Sequence, residues 1–163
     1  MELKDLLAQQ WASCLDQEDW FPPLRTVLDS ITAEQALWKP ADGPANSIWE
    51  TARHLLFYKK RLLYRFRGWA EEPSAADNDG TFIIPDSSAH GWEQDRQELY
   101  AVHQSLSDIL QNANMDTLLA PIPGEQSLAM EIKSLAMHDA YHIGQIVLLS
   151  KLEGVWPSHR RFE

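Results

Sequence analysis

His138 and His142 are the two side chains whose type and spacing most directly suggest chemistry. They stand four residues apart in the string His138-Asp139-Ala140-Tyr141-His142, one helical turn along a common face. Two imidazoles so placed can converge on one metal ion, at Zn–N distances of ~2.0–2.1 Å. The competing reading is a pair of core histidines, each hydrogen-bonded to a neighbouring helix. His54 is a third candidate ligand from a distant part of the chain. Its rotational position, near Glu50, Phe57 and Tyr58, marks it by periodicity as a surface or boundary residue. His90 at a helix start, His103 in a polar stretch and His159 in the tail carry no comparable signal. The string also has the outline of a zincin helix with Asp in place of Glu. Only about 20 residues follow His142, with neither the zincin extension nor a second helix bearing an acidic ligand, so a metalloprotease is disfavoured.

The element that must position the pair is a long helix capped by Ser127, running to about Glu153 and closed by Gly154 and Pro157. Rotation of ~100° per residue spreads Leu128, Ile132, Leu135, Ala136, Met137, Ile143, Ile146, Val147 and Leu148 nearly all the way round it. That pattern predicts a helix buried in a core, broken by one polar stripe of Glu131, Ser134, His138, His142 and Gln145. Buried polar groups need partners, so the stripe is expected to bind something.

His54 belongs to a second helix, opened by the capping box Ser47/Glu50 and expected to reach Gly68. A third spans about Gly91 to Asn112. Near the N-terminus two apolar series, Leu3 to Leu15 and Leu24 to Ile31, are separated by Pro22-Pro23, which must break or restart the helix. Thr32 to Gln35 spells a capping box for a short helix ending before Pro40. Residues 69–89, rich in Pro, Gly and acids, form a long connection in which Thr81-Phe82-Ile83-Ile84 is a candidate short extended piece. It reads either as a lid over a site or as a plain crossover. Four long helices with three connections predict an all-α chain: a four-helix bundle with one long crossover loop, forming a single domain over residues 1–163.

The chain has 163 residues, 44% hydrophobic and 23% charged, an ordinary composition for a soluble protein. With 14 Lys+Arg against 24 Asp+Glu, the net charge of −10 disfavours a nucleic-acid partner. Cys14 is the sole cysteine, which excludes an intrachain disulfide and a cysteine-based zinc cluster. The acidic start and the lack of a long uncharged apolar run lead us to expect a cytoplasmic protein with no membrane partner. A basic cluster, Lys59-Lys60-Arg61 with Arg65 and Arg67, reads either as an anion-receiving patch or as a solvated face suited to the negative end of a helix dipole. The seven tryptophans are expected mostly in the core or at a dimer interface.

Three segments in order, Ile31-Thr32-Ala33-Glu34-Gln35 with Trp38-Lys39-Pro40, Ser47-Ile48-Trp49-Glu50 leading to His54-Leu55, and His138 through Ile146, resemble the DinB-like (DinB/YfiT) superfamily of metal-binding four-helix proteins. The string H-D-x-Y-H-x-G-Q-I is the most specific of them. The resemblance implies that His54, His138 and His142 form one three-histidine site for a divalent ion, zinc or nickel foremost, and that the protein is a homodimer. It implies a small-molecule substrate and a metal-dependent thiol S-transferase, using a low-molecular-weight thiol such as bacillithiol, mycothiol or glutathione, or else a hydrolase. The alternative is a stress-related metal-binding or interaction protein without turnover. Three neutral imidazoles leave a catalytic-type open position, where a water or thiolate would be the reacting species. Asp139, ~100° round the helix from His138, is expected to support a site histidine or another helix. Gln145 is expected to wall the pocket or to support a site histidine.

Overall fold

A computed structural model describes residues 2–157. Among them are seven α-helices and no named strand: α1 Leu3–Leu15, α2 Leu24–Leu28, α3 Ala33–Leu37, α4 Ile48–Arg67, α5 Ala89–Asn112, α6 Met115–Leu119 and α7 Leu128–Glu153. A 3-10 helix, Asp79–Phe82, lies in the connection between α4 and α5.

Local chemistry sets the ends of the ligand-bearing helices. The Ser47 hydroxyl accepts from the Glu50 N–H (3.1 Å), and Glu50 accepts from the Ser47 N–H (2.7 Å), so the reciprocal cap satisfies two otherwise orphaned donors of α4. That helix stops at Gly68, whose φ of 65° is the left-handed conformation glycine adopts without a Cβ penalty. Ser127 accepts from the Met130 N–H to start α7, and Ser88 caps α5 through the Gly91 N–H (3.1 Å). The third long helix therefore begins at Ala89, slightly ahead of the expected Gly91. The predicted capping box at Thr32 and Gln35 is present and opens α3.

The four long helices pack in a cycle: α1 on α5 and α7, and α4 on the same two. Trp11, Trp49, Leu55, Leu106, Leu110, Leu128, Ile143 and Ile146 fill the space between them. Short α3 lies against α4 and α5, and the 3-10 helix lies against α4.

Two expectations need correction. Thr81-Phe82 is 3-10 helix rather than extended chain, because Thr81 N–H and hydroxyl both return to the Asn78 carbonyl (3.1 and 2.6 Å). α7 is not buried all round: Met137 (57% exposed), Tyr141 (64%) and Leu148 (56%) face outward. The apolar excess of its sequence exceeds what one neighbouring core can cover. Most of the tryptophans lie in or against the core, as expected: Trp11, Trp49 and Trp92 are buried and Trp38 and Trp156 partly so, whereas Trp20 is 99% exposed and Trp69 is also exposed. No described helix is long and apolar enough to cross a membrane.

Candidate metal centre

α4 and α7 bring His54, His138 and His142 together, with one ring nitrogen from each lying within 4.8 Å of the others. His138 Nε2 stands 3.0 Å from His54 Nε2 and 3.1 Å from His142 Nε2. His54 and His142 are buried and His138 is half-buried. The boundary position that periodicity gives His54 is therefore overturned. The 3-10 helix covers what would otherwise be an exposed flank of α4, with Phe82 stacked on the His54 ring at 4.0 Å and 12°.

Hydrogen bonds on the far side of two rings fix which nitrogen faces inward. Gln145 Oε1, which can only accept, lies 2.7 Å from His142 Nδ1, so Nδ1 carries the proton and Nε2 presents a lone pair. The Thr81 hydroxyl donates to the Asn78 carbonyl (2.6 Å) and so accepts from His54 Nδ1 at 2.6 Å. His54 Nε2 is therefore also a lone pair. A proton on His138 Nε2 could satisfy one of these acceptors and not both, while His138 Nδ1 is buried without a partner. A cation held by the three Nε2 atoms would satisfy them together. The donor set thus fits a divalent metal.

The electrostatics keep the rings neutral, as ligation requires. Burial, then repulsion from His138 and His142, pushes His54 down to about 3. Burial, His142 and the Lys59 ammonium push His138 down to about 4. His142 is lowered mainly by burial, against the opposing pull of Gln145 and Asp139. Tyr58 sets its ring edge-on to His54 (4.9 Å) and His138 (5.4 Å), and exposed Tyr141 does the same to His142 (4.9 Å).

The sequence profile of the DinB superfamily matches residues 23–146, most of the chain and all three of these histidines. The chain belongs to the DinB superfamily. No curated protein and no solved structure matches it.

The other candidate residues of this DinB-superfamily chain fall into place differently. Gln145 contacts a site histidine directly. Asp139 points into the interior and pairs with Lys59 on α4; burial pushes its carboxyl up, against the pull of the Lys59 ammonium. Lys59 is thereby removed from the supposed solvated basic face. The rest of that cluster is largely neutralised: Lys60 by Glu98 (2.6 Å), Arg61 by Glu125 (3.0 Å), and Arg65 by Glu72 (2.7 Å) and Glu125. Arg67 is exposed. His103 is buried and stacked on Trp11 (4.2 Å, 10°), so its polar sequence surroundings mislead. His90 is exposed, and His159 lies outside the described residues.

Sequence reasoning missed Thr81, Phe82 and Tyr58 as neighbours of the cluster. Tyr58 follows His54 by one helical turn, a findable signal. Thr81 and Phe82 arrive from a loop whose path no periodicity encodes.

Proposed function

We propose that this chain binds one divalent ion, zinc or nickel, through His54, His138 and His142, and uses it on a small-molecule substrate as a thiol S-transferase or hydrolase. The observation that carries the reading is the convergence of three Nε2 atoms, two of them fixed as lone pairs by Thr81 and Gln145. Three neutral imidazoles would leave a bound divalent ion its full charge and room for a further ligand, and such an ion would lower the pKa of a water or thiol there. Thr81 and Gln145 hold their histidine protons on Nδ1, which leaves Nε2 free to hold an ion. Phe82 shields one face of His54 from water, and Tyr58 and Tyr141 border the histidines where a substrate would approach.

The cycle of contacts among α1, α4, α5 and α7 supports a four-helix bundle with residues 69–88 as its crossover, within one domain. The outward apolar side chains of α7 support a homodimer. The location is cytoplasmic in this reading.

The test is an assay of zinc- and nickel-loaded protein for conjugation of low-molecular-weight thiols and for ester hydrolysis. Turnover that a chelator abolishes and added metal restores is the expected result. Stoichiometric metal with no turnover in either assay would overturn the enzymatic part and leave a metal-binding protein.

A further inference from the structure

The interior holds a charged pair that is no part of the histidine cluster itself. Lys59 and Asp139 are each 1% exposed and form an ion pair, with Lys59 Nζ donating to Asp139 Oδ2. The same ammonium lies 4.6 Å from the centre of the Trp11 ring. Trp11 stacks on His103, and its indole N–H donates to the His103 carbonyl (3.2 Å). These residues come from α4, α7, α1 and α5 respectively, so one buried group ties all four long helices together.

Stability does not account for it. A buried ion pair is often no more stabilising than apolar side chains of similar volume, and here Asp139 Oδ1 is left buried without a partner. Its position does account for it. Asp139 directly follows His138, and Lys59 lies five residues beyond His54, so the pair joins the two helices that carry the cluster. The apolar pattern of α7 sets its rotation weakly, since apolar side chains also occupy its outer face at Met137, Tyr141 and Leu148. A one-residue rotation, ~100°, would carry His138 out of the cluster while still offering apolar residues to the core. It would also strand two buried charges, which is strongly disfavoured.

We infer that Lys59 and Asp139 are a positioning pair that fixes the rotation and register of α7 against α4, and so holds the Nε2 atoms of His138 and His142 against that of His54. The inference rests on the metal-binding reading and deepens it.

The test compares the full-length wild type with the double variant Lys59→Met/Asp139→Leu. Helix content and melting temperature should stay near those of the wild type. Zinc affinity, measured by chelator competition, should fall about tenfold or more, and the visible absorption of the cobalt-loaded protein should change. Wild-type affinity with an unchanged cobalt spectrum would overturn the inference. Absence of zinc binding by the wild type would instead refute the metal reading. The pair is then judged on metal-free protein by nuclear Overhauser contacts between the imidazole ring protons across α4 and α7. The wild type should show contacts from His54 to His138 and His142, whose ring centres lie 4.9 and 4.8 Å away, and the variant should lose them; identical contacts would overturn the positioning role. If the double variant does not fold, Asp139→Asn, nearly isosteric with the carboxylate, takes its place in both measurements. Weakened zinc binding or lost ring-to-ring contacts between His54 and the α7 histidines would then support the positioning role, and wild-type behaviour in both would overturn it.

Discussion

Thr81 and Gln145 decide which nitrogen of His54 and His142 faces the cluster, although neither reaches the place where the ion would sit. Partners of this kind typically contribute 10–100-fold to metal affinity. Thr81→Val and Gln145→Leu should each weaken zinc binding by roughly that factor with no loss of helix content, as chelator competition would show. An unchanged affinity would mean that the rings orient without them. Cys14 lies near Asp139, and burial together with that carboxylate pushes its thiol up to about 12. It should therefore label slowly with a thiol reagent at pH 8 in the native protein and rapidly in denaturant; fast native labelling would contradict its burial. At this scale the sequence shows the His138/His142 pair, because both lie on one helix at a spacing that geometry converts to proximity. It does not show that Asp139 meets Lys59, since that contact spans 80 residues and two helices.

The elements were legible where their chemistry is local. The boxes at Thr32 and Ser47, and the glycine stops at Gly68 and Gly154, each act through neighbouring backbone groups. Ser47→Ala should accordingly cost about 1 kcal/mol of stability, read by chemical denaturation; a cost near zero would show that the cap is redundant. The path of residues 69–88 was not legible, because nothing periodic tells a loop where to fold back. Yet that loop delivers Thr81 and Phe82 to His54. Metal loading should therefore protect it from limited proteolysis relative to chelator-treated protein. Equal cleavage rates would uncouple the loop from the site. The exposed outer face of α7 was illegible for another reason: hydrophobicity reports that a residue favours burial, not that the fold has a surface to bury it against.

For the whole molecule, the buried neutral histidines make metal-free stability depend on pH. His54 and His138 titrate at about 3 and about 4 when folded, against 6.5 for an ordinary histidine. Above pH ~6.5 neither folded nor unfolded rings bind protons, and the contribution is fully present. As pH falls below that value the unfolded chain takes up protons first, so stability is progressively lost through pH 4 and toward 3. Denaturation midpoints in chelator should fall across this range, and less steeply for His54→Asn than for the wild type. Parallel curves would place His54 in solvent.

The measurement that most directly tests the central claim is the metal content of untagged protein, by elemental analysis, beside His138→Ala. About one zinc, nickel or similar ion per chain in the wild type, and none in the variant, is the predicted result. A wild type that remains metal-free after reconstitution, or a variant that keeps stoichiometric metal, would contradict it.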